Sequence, residues 1–134
     1  MPLKLAIVTP EHEALQVECT EVVAPGVRGE IGFLPGHVPL ITALAPGVLT
    51  VFQGNKKTYY AVSTGYAEIE RDSVTILTDS CEEASKIDQE RAKKAFAEAE
   101  GKLQAVGPDD PTYAEMFRRL ARARARLDAL ARRN

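Results

Sequence analysis

The pattern of apolar residues changes abruptly near residue 85, and this change constrains the fold more than any other feature. Residues 3–78 contain short runs rich in β-branched and aromatic side chains, separated by turn signals such as Pro-Gly at 25–26, 35–36 and 46–47. Several of these runs alternate, so that Val74, Ile76 and Thr78 face one side of a predicted strand. Many short strands at regular spacing predict an all-β sandwich or barrel rather than a βαβ fold.

Beyond residue 85, helix-forming residues recur with a helical period. One face of a first helix collects Ala92, Ala95 or Phe96, Ala99, Leu103 and Val106. After the breaker GPDDP, one face of a second helix collects Tyr113, Phe117, Leu120, Leu127 and Leu130. Each helix has about 18 residues and is therefore about 27 Å long. The chain is thus predicted to be α+β, with an N-terminal all-β sandwich in residues 1–84 and a C-terminal antiparallel two-helix hairpin in residues 85–134.

Alanine dominates the apolar faces of both predicted helices. Small side chains allow close approach but bury little area, so the stabilisation they give is modest. We therefore expect a lightly held hairpin that is able to open. Ser85 or Asp88 is the predicted cap of the first helix.

The charge of the chain is unevenly distributed. Residues 1–84 carry five Lys and Arg against eleven Asp and Glu, whereas residues 85–134 carry twelve against eight. The basic end of the chain favours either binding to nucleic acid or an anionic membrane, or docking to an acidic protein surface. DNA binding is the less favoured of these, because the whole chain is acidic and no recognition module accompanies the basic segment.

The sequence lacks the motifs of the common catalytic sites. His12 and His37 have no metal-ligand spacing, and there is no GxSxG, phosphate loop or GxGxxG. We therefore expect a protein that is not an enzyme and holds no metal. Cys19 and Cys81 are predicted to be reduced thiols. The N-terminus has no leader pattern and no run approaches the roughly 20 apolar residues of a membrane span, so we expect neither secretion nor membrane insertion.

Two long segments carry a family resemblance. GEIGFLPGHVPLITALAPGV at 29–48 resembles the signature segment of the epsilon subunit of F-type ATP synthases, and AVSTGYAEIERDSVTILTDSCEEASKIDQERA at 61–92 resembles the same family. The resemblance covers nearly the whole chain in order and length. One departure is Ser63-Thr64-Gly65, where the family often has Ser-Gly-Gly.

The resemblance implies a sandwich of about ten strands with a helical hairpin, which agrees with the periodicity. It also implies a non-catalytic subunit of the central stalk, bound to the gamma subunit and resting on the ring of c subunits of a proton-translocating rotary motor. Its place would be peripheral, on the cytoplasmic side of the cell membrane, with the membrane reached only through the complex.

The resemblance places the Gly29–His37 loop at the bottom of the sandwich, with Glu30 and His37 as contacts to the c ring. The alternative for Glu30 is a solvated turn carboxylate, which contributes little. An apolar patch lined by Val38, Leu40 and Ile41 is expected to face gamma, and the alternative is that these three side chains belong to the core.

Some bacterial members of this family bind ATP through an Ile/Leu-Asp-x-x-Arg-Ala motif, which stands here as residues 87–92. The resemblance implies that Asp88 accepts from the adenine amino group and that Arg122 and Arg126 hold phosphate. The alternative is that Asp88 only caps the helix. Glu98 stands where a basic residue is expected and would weaken binding. No cofactor is required; ATP would be a regulatory ligand at a site formed by Glu83, Ile87, Asp88, Arg91, Ala92, Arg122 and Arg126.

The family's extended tail reaches an acidic loop of the catalytic beta subunits and blocks rotation. The resemblance therefore implies contacts with the alpha and beta subunits, and no nucleic acid partner, through Arg118, Arg119, Arg122, Arg124 and Arg126. Two other functions are alternatives: a free-standing ATP-sensing adaptor, which would not purify with motor subunits, and a nucleic-acid-binding module, whose tail would show salt-dependent DNA affinity.

Overall fold

A computed structural model describes residues 2–133, except for the side chains of residues 12–14, so the side chain of His12 lies outside the described residues. The predicted α+β fold is confirmed: ten strands precede two helices. The strands are β1 Leu3–Thr9, β2 His12–Cys19, β3 Glu21–Gly26, β4 Gly29–Phe33, β5 Leu40–Leu44, β6 Gly47–Gln53, β7 Lys56–Val62, β8 Gly65–Glu70, β9 Ser73–Thr78 and β10 Cys81–Glu83.

The strands form one sheet that folds around a single apolar core. Its order is β10-β7-β6-β3-β5-β8-β9-β1-β2, with β4 added beside β3. Every pairing is antiparallel except that of β1 with β9, which is parallel. The side-chain amide of Gln53 donates from Nε2 to the Glu18 carbonyl at 3.0 Å and ties the end of β6 to β2. The largest fully buried side chains include Phe33, Leu3, Leu5, Leu49, Ile69 and Ile76.

Strand β4 corrects the expectation of one continuous loop from Gly29 to His37. Residues Gly29–Phe33 pair with β3, with Ile31 opposite Ala24. Glu30 therefore lies at the β3–β4 turn and His37 lies beyond the other end of β4, since each strand residue advances about 3.3 Å. The glycine-rich sequence of β4 concealed it, because glycine is depleted in strands.

Hydrogen bonds hold the loop after β4 in place. The Gly36 amide donates to Asp72 Oδ1 at 3.0 Å, and the His37 amide donates to the Leu34 carbonyl at 3.1 Å. Gly36 has φ of 83°, a left-handed conformation that glycine adopts readily. The loop is therefore pinned to the β8–β9 turn.

The Ser63-Thr64-Gly65 departure is accommodated without strain. Thr64 Oγ1 donates to Asp79 Oδ2 at 3.2 Å, and the Thr64 carbonyl accepts from the Asp79 amide. Among the described non-glycine residues, left-handed backbone occurs at Arg71 alone, so Thr64 needs no glycine conformation. Gly65 is different: a Cβ there would overlap the carbonyl oxygen of Leu77 on β9.

The helical segment begins with a 3₁₀ turn at Ala84–Lys86 and continues as α1, Gln89–Ala105, and α2, Tyr113–Arg133. Asp88 caps α1, its Oδ1 accepting from the Arg91 amide at 3.1 Å. Before α2, Asp110 Oδ1 accepts from the amide and hydroxyl of Thr112 at 2.8 and 2.7 Å. These hydrogen bonds lower the pKa of the Asp110 carboxyl. Neither helix, as described, combines the length and apolar character that crossing a membrane requires.

Helix α2 lies on β6 and β7, and α1 packs on α2. A second apolar cluster fills this interface, made by Val48, Ala61, Ala84, Ile87, Ala92, Ala125, Ala129 and Leu130. The expected apolar face of α2 is partly wrong, because Phe117 is 55% exposed and stacks on Tyr113 at 6.4 Å between ring centroids. Leu130 of the expected face is buried, and the helix otherwise approaches its neighbours through Met116 and alanines, since small side chains permit closer contact.

Candidate functional site

A cleft of about 490 Å³ lies where α1 begins beside α2 and β10. Five of the seven residues predicted to bind ATP line it: Ile87, Asp88, Arg91, Ala92 and Arg126. Glu82, Lys86 and Ala95 complete the lining. We call this the α1 cleft.

A second cleft of about 200 Å³ adjoins the first, with Ala95 and Arg126 in the linings of both. It contains Arg122, the sixth predicted residue, and we call it the arginine cleft. Its lining also includes Glu98, Ala99, Lys102, Met116 and Arg119. Arg122 and Arg126 are four residues apart on α2, so one helix face carries both into the arginine cleft.

The seventh predicted residue, Glu83, lies outside both of these clefts. Opposite residues of β10 and β7 share a face, and Glu83 faces Tyr60 whereas Glu82 faces Ala61. Ala61 belongs to the cluster beneath the helices, but Tyr60 packs against the sandwich core. Of these two neighbouring glutamates, Glu82 is therefore the one that lines the α1 cleft. The sequence alone did not point to Glu82. The signal that would have done so is the alternation of side chains along β10, and a strand of three residues is too short to be predicted.

Ion pairs already occupy two of the arginines. Arg126 Nε donates to Glu82 Oε1 at 2.7 Å, joining α2 to β10. Arg119 pairs with Glu115 at 2.8 Å along α2. Asp88 likewise serves as the helix cap, so the structural alternative for that residue is realised. A nucleotide would thus meet a site whose polar groups are partly engaged.

Two ionisable groups beside β10 are kept neutral. Burial, reinforced by the charge of Glu83 and then of Cys81, raises the pKa of Tyr60 to about 12. Burial also raises the pKa of Cys81 to about 12, with further contributions from the carboxylates Glu82 and Glu83. At neutral pH both groups are protonated, so the thiol is a poor nucleophile.

The two clefts together suit a ligand with an apolar, flat part and an anionic part. The α1 cleft offers Ile87, Ala92 and Ala95 beside carboxylates that accept hydrogen bonds, and the arginine cleft offers guanidinium groups. Another depression, of about 450 Å³, lies on β1, β2 and β9. It is an outward sheet face lined by residues such as Lys4, Gln16 and Thr75, and none of the predicted residues lies there. We therefore assign the candidate site to the helix clefts.

The residues expected to contact other subunits are spread over the sandwich. Glu30 Oε2 pairs with Arg132 Nη1 of α2 at 3.2 Å, and both side chains are about half exposed. The His37 ring packs edge-on against Phe33 at 5.4 Å between centroids.

The apolar patch expected to face gamma is only partly as predicted. Val38 and Ile41 are 72% and 67% exposed, whereas Leu40 packs against the core. Tyr66 and Leu77, which sequence reasoning missed, are exposed directly opposite one another on β8 and β9. The patch is therefore centred on the β5–β8–β9 face.

The arginines predicted to inhibit the motor divide into two groups. Arg118, Arg122 and Arg124 are exposed and belong to none of the three ion pairs of the described residues, while Arg119 and Arg126 form the ion pairs described above. At the end of α2, Arg132 reaches Glu30 and Arg133 Nη1 donates to the Ala84 carbonyl at 3.3 Å.

Protein-family models match both parts of the chain. Residues 2–84 match the family model "ATP synthase, Delta/Epsilon chain, beta-sandwich domain", and residues 85–131 match "ATP synthase, Delta/Epsilon chain, long alpha-helix domain". The chain belongs to the ATP synthase delta/epsilon family. Family members of this kind are non-catalytic subunits of the ATP synthase, so the prediction that the chain is not an enzyme is confirmed.

Bacterial epsilon chains match this family member over nearly its whole length. The ATP synthase epsilon chain of Anaeromyxobacter dehalogenans (strain 2CP-1) is 41% identical over 132 residues, covering 98% of this chain and 100% of the relative. That of Geobacter metallireducens is 42% identical over 125 residues, covering 93% of this chain and 91% of the relative. The resemblance inferred from residues 29–48 and 61–92 is thus confirmed.

Solved structures agree. A chain in the cryo-EM structure of the Euglena gracilis mitochondrial ATP synthase, comprising OSCP, F1 and the c-ring, matches with a TM-score of 0.82 and 28% identity, covering 99% of this chain and 82% of that one. A chain of the Tetrahymena thermophila mitochondrial ATP synthase central stalk and c-ring matches with a TM-score of 0.65 at 14% identity, covering 96% of each chain. The second likeness shows the shared fold alone.

Proposed function

We propose that this chain is a central-stalk subunit of a proton-translocating F-type ATP synthase, with a coupling sandwich and an inhibitory hairpin. The sandwich joins gamma to the c ring, and the hairpin, when it leaves the sandwich, blocks ATP hydrolysis by contacting the alpha and beta subunits. The location we propose is peripheral, on the cytoplasmic side of the cell membrane. Membership of the family and the likeness to a chain of an F1/c-ring assembly support this function.

The observation that carries the inhibitory role is how α2 is attached. Arg126, Arg132 and Arg133 tie it to Glu82, Glu30 and Ala84, while alanines form much of its apolar contact. Partly exposed ion pairs contribute roughly 1 kcal/mol or less each. A competing acidic surface is able to replace such partners, because the arginines keep their charge when the helix leaves.

We further propose that ATP binds the closed hairpin at the α1 cleft and the arginine cleft. The residues we assign are Ile87, Asp88, Arg91, Ala92, Arg122 and Arg126, with Glu82 in place of Glu83. Because the clefts are built by both helices together with β10, they exist only while the hairpin is closed. ATP therefore favours the closed state by its differential affinity, about 1.4 kcal/mol for each tenfold.

For the c ring we propose Glu30 as the polar contact. His37 lies beyond the opposite end of β4, so we do not assign both residues to one contact. For gamma we propose the apolar face that contains Ile41, Tyr66 and Leu77. An exposed patch of this kind is typical of protein–protein contacts.

Deletion of residues 85–134 tests the division of roles in the assembled enzyme. We expect proton-coupled ATP synthesis to persist and inhibition of ATP hydrolysis to disappear, because the sandwich core is separate from the helical cluster. A full-length variant with Arg118, Arg122 and Arg124 changed to Gln should reproduce the loss of inhibition. Loss of coupling on deletion, or inhibition that survives both changes, would contradict the proposal.

Calorimetric titration of the full chain with ATP tests the ligand. We expect saturable heat that is weakened by Arg122→Gln and unaffected by Arg124→Gln, since the two side chains point in different directions around α2. The absence of heat at millimolar ATP would remove ATP from the mechanism.

A further inference from the structure

One carboxylate stands among the cations of the arginine cleft. Glu98 lines this cleft together with Lys102, which follows it by four residues on α1. Both side chains belong to exposed residues, so neither is held by burial. A carboxylate beside phosphate oxygens is unfavourable unless a cation lies between them.

The charges that remain available in the arginine cleft are few. Arg119 and Arg126 are each paired with a glutamate at 2.8 and 2.7 Å. None of the three ion pairs formed by the described residues includes Glu98, Lys102 or Arg122. Within the arginine cleft the groups outside these ion pairs are thus Lys102, Arg122 and Glu98, so the glutamate offsets part of the positive charge that a free triphosphate would meet there.

We propose that Glu98 makes this site selective for the Mg²⁺ complex of the nucleotide, as a ligand of the metal held between the carboxylate and the phosphate oxygens. The proposal rests on the ATP site proposed above. Mg²⁺ in nucleotide sites is commonly bound by one or two carboxylates together with phosphate oxygens and waters. The described residues contain no group of three His, Cys, Asp or Glu side chains able to hold a metal. The nucleotide must therefore bring the metal.

In this arrangement each side chain has a separate task. Glu98 faces the metal, and Lys102 and Arg122 face phosphate oxygens. Lys102 acts there as a point charge, and Arg122 offers the paired donors of its guanidinium group. Mg²⁺ lowers the charge of the triphosphate and converts the repulsion from Glu98 into an attraction. If Glu98 only repelled phosphate, its replacement by Gln would strengthen ATP binding in the presence of Mg²⁺ instead of weakening it.

The test is calorimetric titration of the full chain with ATP, in excess MgCl₂ and separately in EDTA. For the unchanged chain we expect affinity to be higher in Mg²⁺ by about tenfold, or 1.4 kcal/mol. In Glu98→Gln we expect weaker binding than the unchanged chain in Mg²⁺ and equal or tighter binding in EDTA. Glu100→Gln is the matched control, because Glu100 is an exposed glutamate on another face of α1 and should leave both affinities unchanged.

The outcomes separate the two proposals. Binding that is tighter in EDTA, or a Glu98→Gln variant that binds more tightly in both conditions, overturns the metal role and leaves the ATP site standing. No binding by the unchanged chain in either condition removes the ATP site and this inference with it. Far-ultraviolet circular dichroism of both variants verifies that α1 is intact.

Discussion

Two neighbouring carboxylates, Glu82 and Glu83, serve opposite faces of the short strand β10. Glu82 reaches Arg126 on the helix side, and Glu83 lies beside Tyr60 on the sandwich side. The family resemblance named Glu83 for the ATP site, whereas the structure places Glu82 in the lining of the α1 cleft. A difference of one residue places the carboxylate on the other face of the strand, because side chains of a strand alternate between faces.

A double-mutant cycle on stability measures this assignment. We expect Glu82→Gln and Arg126→Gln to couple by about 0.2–1 kcal/mol in urea unfolding, the range for a partly exposed ion pair. The cycle of Glu83→Gln with Arg126→Gln should show no coupling. Equal coupling in both cycles would mean that β10 has a different register.

The thiols should be unreactive in the folded chain. Burial raises the pKa of Cys19, and the pKa of Cys81 lies at about 12. We expect iodoacetamide at pH 8 to label neither cysteine until the chain is unfolded in urea, because the thiolate is the nucleophile.

The raised pKa of Cys81 makes the free energy of unfolding depend on pH. A raised thiol pKa means that Cys81 ionises more easily in the unfolded chain. The free energy of unfolding should therefore fall as pH rises from about 9 towards 12. Replacing Cys81 with Ser should flatten this decline, and rapid native labelling at pH 8 would contradict the burial.

Gly65 is required by the approach of β8 to β9. Gly65→Ala brings a methyl group onto the Leu77 carbonyl, and we expect a loss of about 3 kcal/mol in the free energy of unfolding, at the upper end for overpacking. Gly107→Ala is the control, since nothing lies within 4 Å of a Cβ there. Equal thermal midpoints for the two variants would show that β8 and β9 separate easily.

At the scale of elements, periodicity predicts the strands with strong alternation and both helices. It does not predict β4, whose two glycines weaken the strand signal, or β10, which is only three residues long. It identifies the docking face of α2 only in part, at Leu130. A prediction based on hydrophobicity chooses Phe117, which is exposed. The buried residues at the contact include Ala125 and Ala129, whose small side chains let the helix lie close to the sheet.

The attachment of α2 to the sheet depends on that alanine contact. Ala129→Glu places a charge against β6 and β7, and we expect the docked state to lose at least about 3 kcal/mol, as for a buried charge without a partner. Trypsin should then cleave the α2 arginines faster than in the unchanged chain. Ala131→Glu changes an exposed residue of the same helix and should not alter cleavage. Unchanged cleavage in Ala129→Glu would show that α2 is held chiefly by its arginines.

At the scale of the whole molecule, Glu30 joins the sandwich to the end of the hairpin. Its pairing with Arg132 means that a change at Glu30 acts on the hairpin as well as on any subunit contact. The effect of Glu30→Lys on the assembled enzyme is therefore ambiguous without a second variant.

Charge reversal at both positions resolves this. We expect Glu30→Lys to weaken association with the c ring and lower coupled ATP synthesis, and Arg132→Glu to leave both unchanged, because Arg132 serves only the hairpin. The double variant restores the ion pair and should behave as Glu30→Lys does. Recovery of coupling in the double variant would assign Glu30 to the hairpin alone.

For the opening of the hairpin proposed above, the alanine contact of α2 has a kinetic consequence. Alanine has no side-chain rotamers, so docking freezes none at Ala125 and Ala129, and the side chains it orders are chiefly Leu130 and the arginines that hold α2. Interlocked leucine or phenylalanine side chains would have to separate and repack at each cycle. A contact rich in alanine limits this step to a few side chains, so the barrier to exchange should be low even when the closed state predominates. In the mechanism proposed above, the hairpin would thus respond within the time of a catalytic turnover rather than set the enzyme's activity once.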